Sequence, residues 1–335
     1  MASSRERLRW SAAPAAGGQL ALFDAPERVV GRGEYRGLEF VHVRARSIIN
    51  SLPASAPLPF RHTINPYRGC SHACTYCFAR PTHEYLGLDP ATEFDRVIVV
   101  KLNAVELLRA ELAPKRWAGH AVALGTNTDP YQAAEGKYRL TRGIVETLAA
   151  AANPFSILTK STLVLRDLDL LAEAGRRTDV ELCFSVGTLD DDVWRRTEPG
   201  TPRPVRRLEA VARLNAAGVR CGVLIAPVLP GISDRPDQLE AVVRGAVDAG
   251  APSVSSVLLH LRPGVRQHYL GWLGADRPDL VGLHERLYAH GSYAPRAERE
   301  RVAGLVRAAL ARCGGPGAGP NRPAGRRFGP RNLRT

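Results

Sequence analysis

Three cysteines, Cys70, Cys74 and Cys77, stand at C-x3-C-x2-C spacing within Gly69-Cys70-Ser71-His72-Ala73-Cys74-Thr75-Tyr76-Cys77-Phe78. Thiols this close in one loop are soft ligands for iron or zinc. A [4Fe–4S] cube has four irons and ordinarily takes four thiolates. A run supplying three leaves one iron open to an outside ligand, and an open iron can do chemistry. Zinc is a competing reading, with His62, His72 or His83 as fourth ligand, although structural zinc sites more often use two separated pairs. A ferredoxin-type carrier would need a fourth cysteine nearby, and the next one, Cys183, lies far downstream. The spacing favours the open cluster.

Cys183, Cys221 and Cys313 are isolated. A disulfide framework belongs to short secreted chains, so metal ligation in a reducing compartment is expected here. The first ten residues are charged and lack the apolar segment of a secretory signal, and no apolar run approaches the roughly 18 residues of a membrane span. A cytoplasmic protein with no membrane partner is the expectation.

The elements that must position the cysteines follow from patterning. Short apolar runs at 120–124, 155–159, 180–186, 219–225 and 253–260 alternate with amphipathic helical stretches at 140–152, 164–175, 205–217 and 236–250. Gly175, Gly218 and Gly250 stand where left-handed helix caps are expected. Such alternation predicts a parallel sheet with helices outside, in the α/β class. Chemistry in such barrels sits on the loops after the strands' carboxyl ends. Those loops carry Gly125-Thr126-Asn127-Thr128-Asp129-Pro130-Tyr131-Gln132, then Thr159-Lys160-Ser161, then a charged stretch from Arg195 through Glu198 to Arg206. In the run at 180–186, Glu181, Cys183 and Ser185 share one face, expected to point into the barrel, and Leu182, Phe184 and Val186 share the other.

These residues together resemble the radical S-adenosylmethionine (radical SAM) superfamily, over about 63–262. Asn65-Pro66-Tyr67-Arg68-Gly69-Cys70, Tyr76-Cys77-Phe78-Ala79-Arg80 and the loops at 125–131 and 159–161 resemble its spore photoproduct lyase branch, with actinobacterial relatives. The resemblance implies a partial (β/α)6 TIM-type barrel that binds a [4Fe–4S] cluster through Cys70, Cys74 and Cys77. The free iron would be chelated by the methionine part of S-adenosylmethionine, whose reductive cleavage yields a 5′-deoxyadenosyl radical. By the same likeness Thr126, Asn127, Thr128 and Asp129 stand where the amino group is held. Lys160 meets the carboxylate, Ser185 the ribose or carboxylate, and Tyr76 packs near adenine. Glu198 and Arg206 are candidates for a cofactor clamp. An external electron donor of the flavodoxin or ferredoxin class is implied, and a lyase- or repair-like reaction on DNA.

One departure narrows this. The lyases carry a hydrogen-donating cysteine near the end of the second strand, and residues 121–132 contain none. Cys183 and Tyr131 are the alternative hydrogen donors.

The net charge of +13 favours polyanions, so DNA is a candidate partner. Gln19-Leu20-Ala21-Leu22-Phe23 resembles the peptide by which bacterial repair proteins dock on the sliding clamp. A mobile N-terminal arm is expected through about residue 35, and a disordered basic tail from Gly314. The domain reading is 1–58 arm and extension, 59–290 barrel, 291–313 C-terminal helix and 314–335 tail. Two alternative functions stay open: a radical SAM enzyme modifying a peptide or small molecule, and a non-catalytic metal-bound nucleic-acid-binding protein.

Overall fold

The structure, a computed structural model, describes residues 26–53, 56, 58, 60–113 and 117–315. The pentapeptide at 19–23 and nearly all of the tail lie outside the described residues. The strands are β1 (Glu27–Val30), β2 (Glu39–Val43), β3 (Ile49–Ser51), β4 (His62–Ile64), β5 (Tyr67–Arg68), β6 (Val97–Lys101), β7 (Val122–Leu124), β8 (Phe155–Thr159), β9 (Val180–Ser185), β10 (Cys221–Val228) and β11 (Val254–Leu258).

One sheet runs in the order β11-β10-β9-β8-β7-β4-β3. From β4 to β11 every pair is parallel, and β3 closes the edge antiparallel. These six parallel strands, in chain order and joined through helices, are the expected partial barrel. Alternation fixes which way β9 faces. Leu182, Phe184 and the following Val186 are almost wholly buried against the helical layer. Each such side chain stabilises the fold by about 1.5–3 kcal/mol. Glu181 and Cys183 on the opposite face stay partly accessible.

Two expectations are corrected. The arm was read as mobile through residue 35, yet β1 starts at Glu27 and pairs antiparallel with β2. It belongs to a second, four-stranded sheet, β1-β2-β6-β5, that leads directly into the cysteine loop. Gly175 does not cap its helix, which continues to Arg177. Gly218 and Gly250, at φ of 79° and 69°, do take the left-handed conformation just past their helices.

Candidate functional site

The cysteine loop leaves β5 through Gly69, at φ of 80°. A Cβ there would lie 2.8 Å from the carbonyl oxygens of Phe94 and Val97, so only glycine lets the loop press this closely on its sheet. Gln132 holds the loop from the other side. Its amide donates to Gly69 O at 2.8 Å, and its carbonyl oxygen accepts from the Ser71 backbone at 3.0 Å. Behind the loop, the buried Arg80 guanidinium donates to Cys74 O and pairs with Asp95 at 3.2 Å. A third clamp comes from the stretch after β9, where Thr75 N–H donates to Thr197 O at 3.0 Å and Gly200 N–H to His72 O at 3.1 Å.

Cys70 and Cys74 are buried and Cys77 is partly so. Burial pushes all three thiols up, Cys74 to about 12, and charge on Cys77 would further raise Cys70 and Cys74. Without metal they stay protonated, and binding metal must displace those protons. Among the described residues, no three His, Cys, Asp or Glu side chains converge as the ligands of one ion do. Cys70, Cys74 and Cys77 supply three thiols from one loop, the number a cube takes when one of its irons is left open.

The loop after β7 folds around Asp129, which lies 9% exposed. Oδ1 accepts from Tyr131 N–H at 2.9 Å and from the Thr159 hydroxyl at 2.7 Å. Oδ2 accepts from Lys160 N–H at 2.7 Å and lies 3.4 Å from His72 Nδ1. Three of the roughly four acceptor sites of this carboxylate are thus taken by its own chain. It buckles three loops together. Thr128 likewise turns inward, its hydroxyl donating to Gly69 O at 2.6 Å. Thr126 and Asn127 are held by Asn65, which binds the Thr126 hydroxyl at 3.1 Å and the Asn127 N–H at 3.1 Å, and the Asn127 side chain stays exposed.

Lys160, just past β8, sends its ammonium across the barrel mouth. Nζ donates to Ser185 Oγ at 2.5 Å and to Ala226 O at 3.3 Å, lies 3.4 Å from Glu198 and 5.8 Å above the Tyr76 ring. Burial works against the Glu198 charge. Arg207, Lys160 and the Tyr76 hydroxyl, which donates to it, outweigh burial and hold the carboxyl down at about 2. Tyr76, Lys160, Ser185 and Glu198, drawn from four separate segments, thus meet in one network.

Arg206 is not part of it. Its side chain is 70% exposed and pairs with Glu209 on the same helix. The arginine that joins Glu198 is Arg207, fully buried, 2.5 Å from that carboxylate and donating to Ser185 O at 3.1 Å. Helical spacing explains the correction, because residues 207, 210, 211 and 214 form the buried face of helix Pro204–Ala216.

Cys183 lies on the same strand face as Ser185, about 7 Å deeper along β9. Burial first, then Glu181, pushes its thiol to about 12, so it keeps its hydrogen. Tyr131 is 1% exposed in the core, where burial first and then the neighbouring Asp167 carboxylate push its phenol pKa up. Arg207 is the contributor missed in the sequence, and Gln132, Asn65 and Arg80 stand in the quoted motifs without the roles they play here.

A model of the radical SAM superfamily matches residues 64–243. The chain belongs to the radical SAM superfamily. Enzymes of this superfamily use a [4Fe–4S] cluster and S-adenosylmethionine. An uncharacterized protein of Mycobacterium tuberculosis is 46% identical over 283 residues, 83% of each chain. A spore photoproduct lyase mutant superposes with a TM-score of 0.63 at 18% identity, covering 83% of this chain and 80% of that one. Another lyase mutant, with bound AdoMet and dinucleoside spore photoproduct, gives 0.61 at 18% identity over 82% and 79%. At such identity the likeness is one of fold.

The donor set fits both groups: three thiols on one loop for the cluster, and beside them an ammonium, hydroxyls and an aromatic face for an amino-acid nucleoside. Among the described residues no helix is long and apolar enough to cross a membrane.

Proposed function

We propose that this protein reductively cleaves S-adenosylmethionine and uses the product radical in a lyase- or repair-like reaction on DNA. The observation that carries the reading is the Lys160–Ser185–Glu198–Tyr76 network set directly against the cysteine loop. When bound and reduced by a flavodoxin- or ferredoxin-class donor, the cluster and S-adenosylmethionine supply a 5′-deoxyadenosyl radical.

The chain's own residues bind and orient. Lys160 offers its ammonium to the methionine carboxylate, and Glu198 and Ser185 fix where that ammonium points. Thr126 and Asn127, rather than Asp129 with its three hydrogen bonds, are left to meet the amino group. Tyr76 presents its ring toward adenine. Cys183 keeps an S–H on the barrel face, positioned to return hydrogen to a product radical in place of the cysteine absent from the β7 loop.

The net charge of +13 supports a polyanionic substrate, and so does a fold shared with an enzyme crystallised with a dinucleoside photoproduct. The test is label transfer. Deuterated DNA, intact and ultraviolet-damaged, is incubated anaerobically with reduced, cluster-loaded protein and S-adenosylmethionine. Deuterium in 5′-deoxyadenosine is expected. Formation of unlabelled 5′-deoxyadenosine from every DNA would remove DNA as the substrate.

A further inference from the structure

Beside the cysteine loop stands a row of three rings that cofactor binding does not use. Phe78 directly follows Cys77, and its ring lies 5.8 Å from that of His260 at a tilt of 35°. His260 stacks on Tyr293 with centroids 5.4 Å apart and planes 27° apart. The two outer rings are open to solvent, Phe78 at 40% and Tyr293 at 57%. The exposed Arg262 sets its guanidinium 5.8 Å over the Phe78 ring. His260 and Arg262 follow the carboxyl end of β11, which places the row on the mouth of the barrel that also carries the cysteine loop.

Backbone pairing within the row and hydrogen bonds around it hold His260 and Tyr293 in place. His260 and Tyr293 pair through their backbones, and Leu261 N–H donates to Ser292 O at 2.7 Å. The Tyr288 hydroxyl donates to Leu259 O at 2.5 Å, and Arg266 donates to the carbonyls of Tyr288 and Gly291, each at 2.5 Å. Exposed rings fixed by this many bonds are preorganised, so a ligand need not spend binding energy on ordering them.

Three rings in a row, tilted 35° and 27° from one to the next, with an arginine alongside match one chemistry, a flat aromatic ligand bearing an anion. We propose that Phe78, His260, Tyr293 and Arg262 form a stacking platform for an unpaired nucleobase, with Arg262 meeting the adjoining phosphate. This rests on the DNA reading above and deepens it. A base in a duplex already has both faces covered, so it must leave the helix to extend the row. The platform therefore selects single-stranded or extrahelical bases over intact duplex.

The test is fluorescence anisotropy of cluster-loaded protein with labelled oligonucleotides: single-stranded, fully paired, and paired with one extrahelical base. Wild type is expected to bind the first and third more tightly than the second. Stacking is worth about 1–3 kcal/mol per base, so Tyr293→Ala should weaken single-strand binding by about tenfold, while Tyr293→Phe stays within about twofold. Arg262→Ala should weaken binding and flatten its salt dependence. Iron content equal to wild type shows that each variant is folded. If wild type binds DNA and Tyr293→Ala binds equally well, or Tyr293→Phe loses as much as Tyr293→Ala, the platform is wrong and the DNA reading stands. If wild type binds no oligonucleotide at low salt, the DNA reading fails and the platform with it.

Discussion

Arg207 and Glu198 face each other at 2.5 Å, the arginine fully buried and the carboxylate side chain 5% exposed. Glu198 bridges Tyr76 of the cysteine loop and Lys160, so the pair fixes the position of the Lys160 ammonium at the barrel mouth. Removing one partner of such a pair leaves a buried charge uncompensated. Arg207→Ala should therefore destabilise the protein by about 3–5 kcal/mol in denaturant titration. Arg206→Ala, one residue away but exposed, should change stability by no more than about 0.5 kcal/mol. Equal effects of the two substitutions would dismiss the clamp.

Lys160→Ala should keep its iron and lose affinity for S-adenosylmethionine. A charged hydrogen bond is worth about 1.5–3 kcal/mol, which corresponds to at least tenfold. Ser185→Ala, a neutral partner, should cost about 1 kcal/mol or less. Equilibrium dialysis of the cofactor against reconstituted protein measures both. Wild-type affinity in Lys160→Ala would move the carboxylate site elsewhere.

Gly200 touches the cysteine loop so closely that a Cβ would lie 2.2 Å from Ser71 O and 2.9 Å from His72 Cα. Gly200→Ala should push the loop aside and lower the iron bound per chain. Gly175→Ala, at an exposed helical position with open space around it, should instead stabilise by about 0.5–1 kcal/mol. Iron assay and thermal melts separate the two.

Asp167 is fully buried and pairs with Arg142 at 2.8 Å and Arg166 at 2.9 Å. Burial alone would raise its pKa, but hydrogen bonds and charge from the two arginines outweigh it and leave the group below the ordinary 3.8. A depressed carboxyl stabilises the fold above its unfolded value, and that stability is lost as pH falls through the folded value. Asp167→Asn should thus be less stable at neutral pH, with a shallower decline below about pH 4. Urea titrations across that range check it, and parallel curves for the two proteins would refute the coupling.

The sequence and the fold agree where one local signal dominates. The strand at 155–159 is an apolar run ending at a polar loop, and the helix from Pro236 has proline at its start and a left-handed glycine beyond its end. In the second sheet β6 was legible in principle as the apolar run VIVVK, but β1 is short and mostly exposed and gains its order from pairing with β2. Arg207 was legible in principle, since it falls on the face marked by Ala210, Val211 and Leu214. The orientation of Asp129 was not, because its four partners come from the cysteine loop, its own loop and the end of β8.

The most direct test of the central claim is product analysis. Protein reconstituted anaerobically with iron and sulfide is reduced with dithionite and given S-adenosylmethionine, and 5′-deoxyadenosine is quantified by mass spectrometry. Wild type should form 5′-deoxyadenosine and methionine, and a variant with Cys70, Cys74 and Cys77 all changed to alanine should form neither and lose its brown absorbance. A cluster-loaded, reduced wild type that forms no 5′-deoxyadenosine would contradict the account.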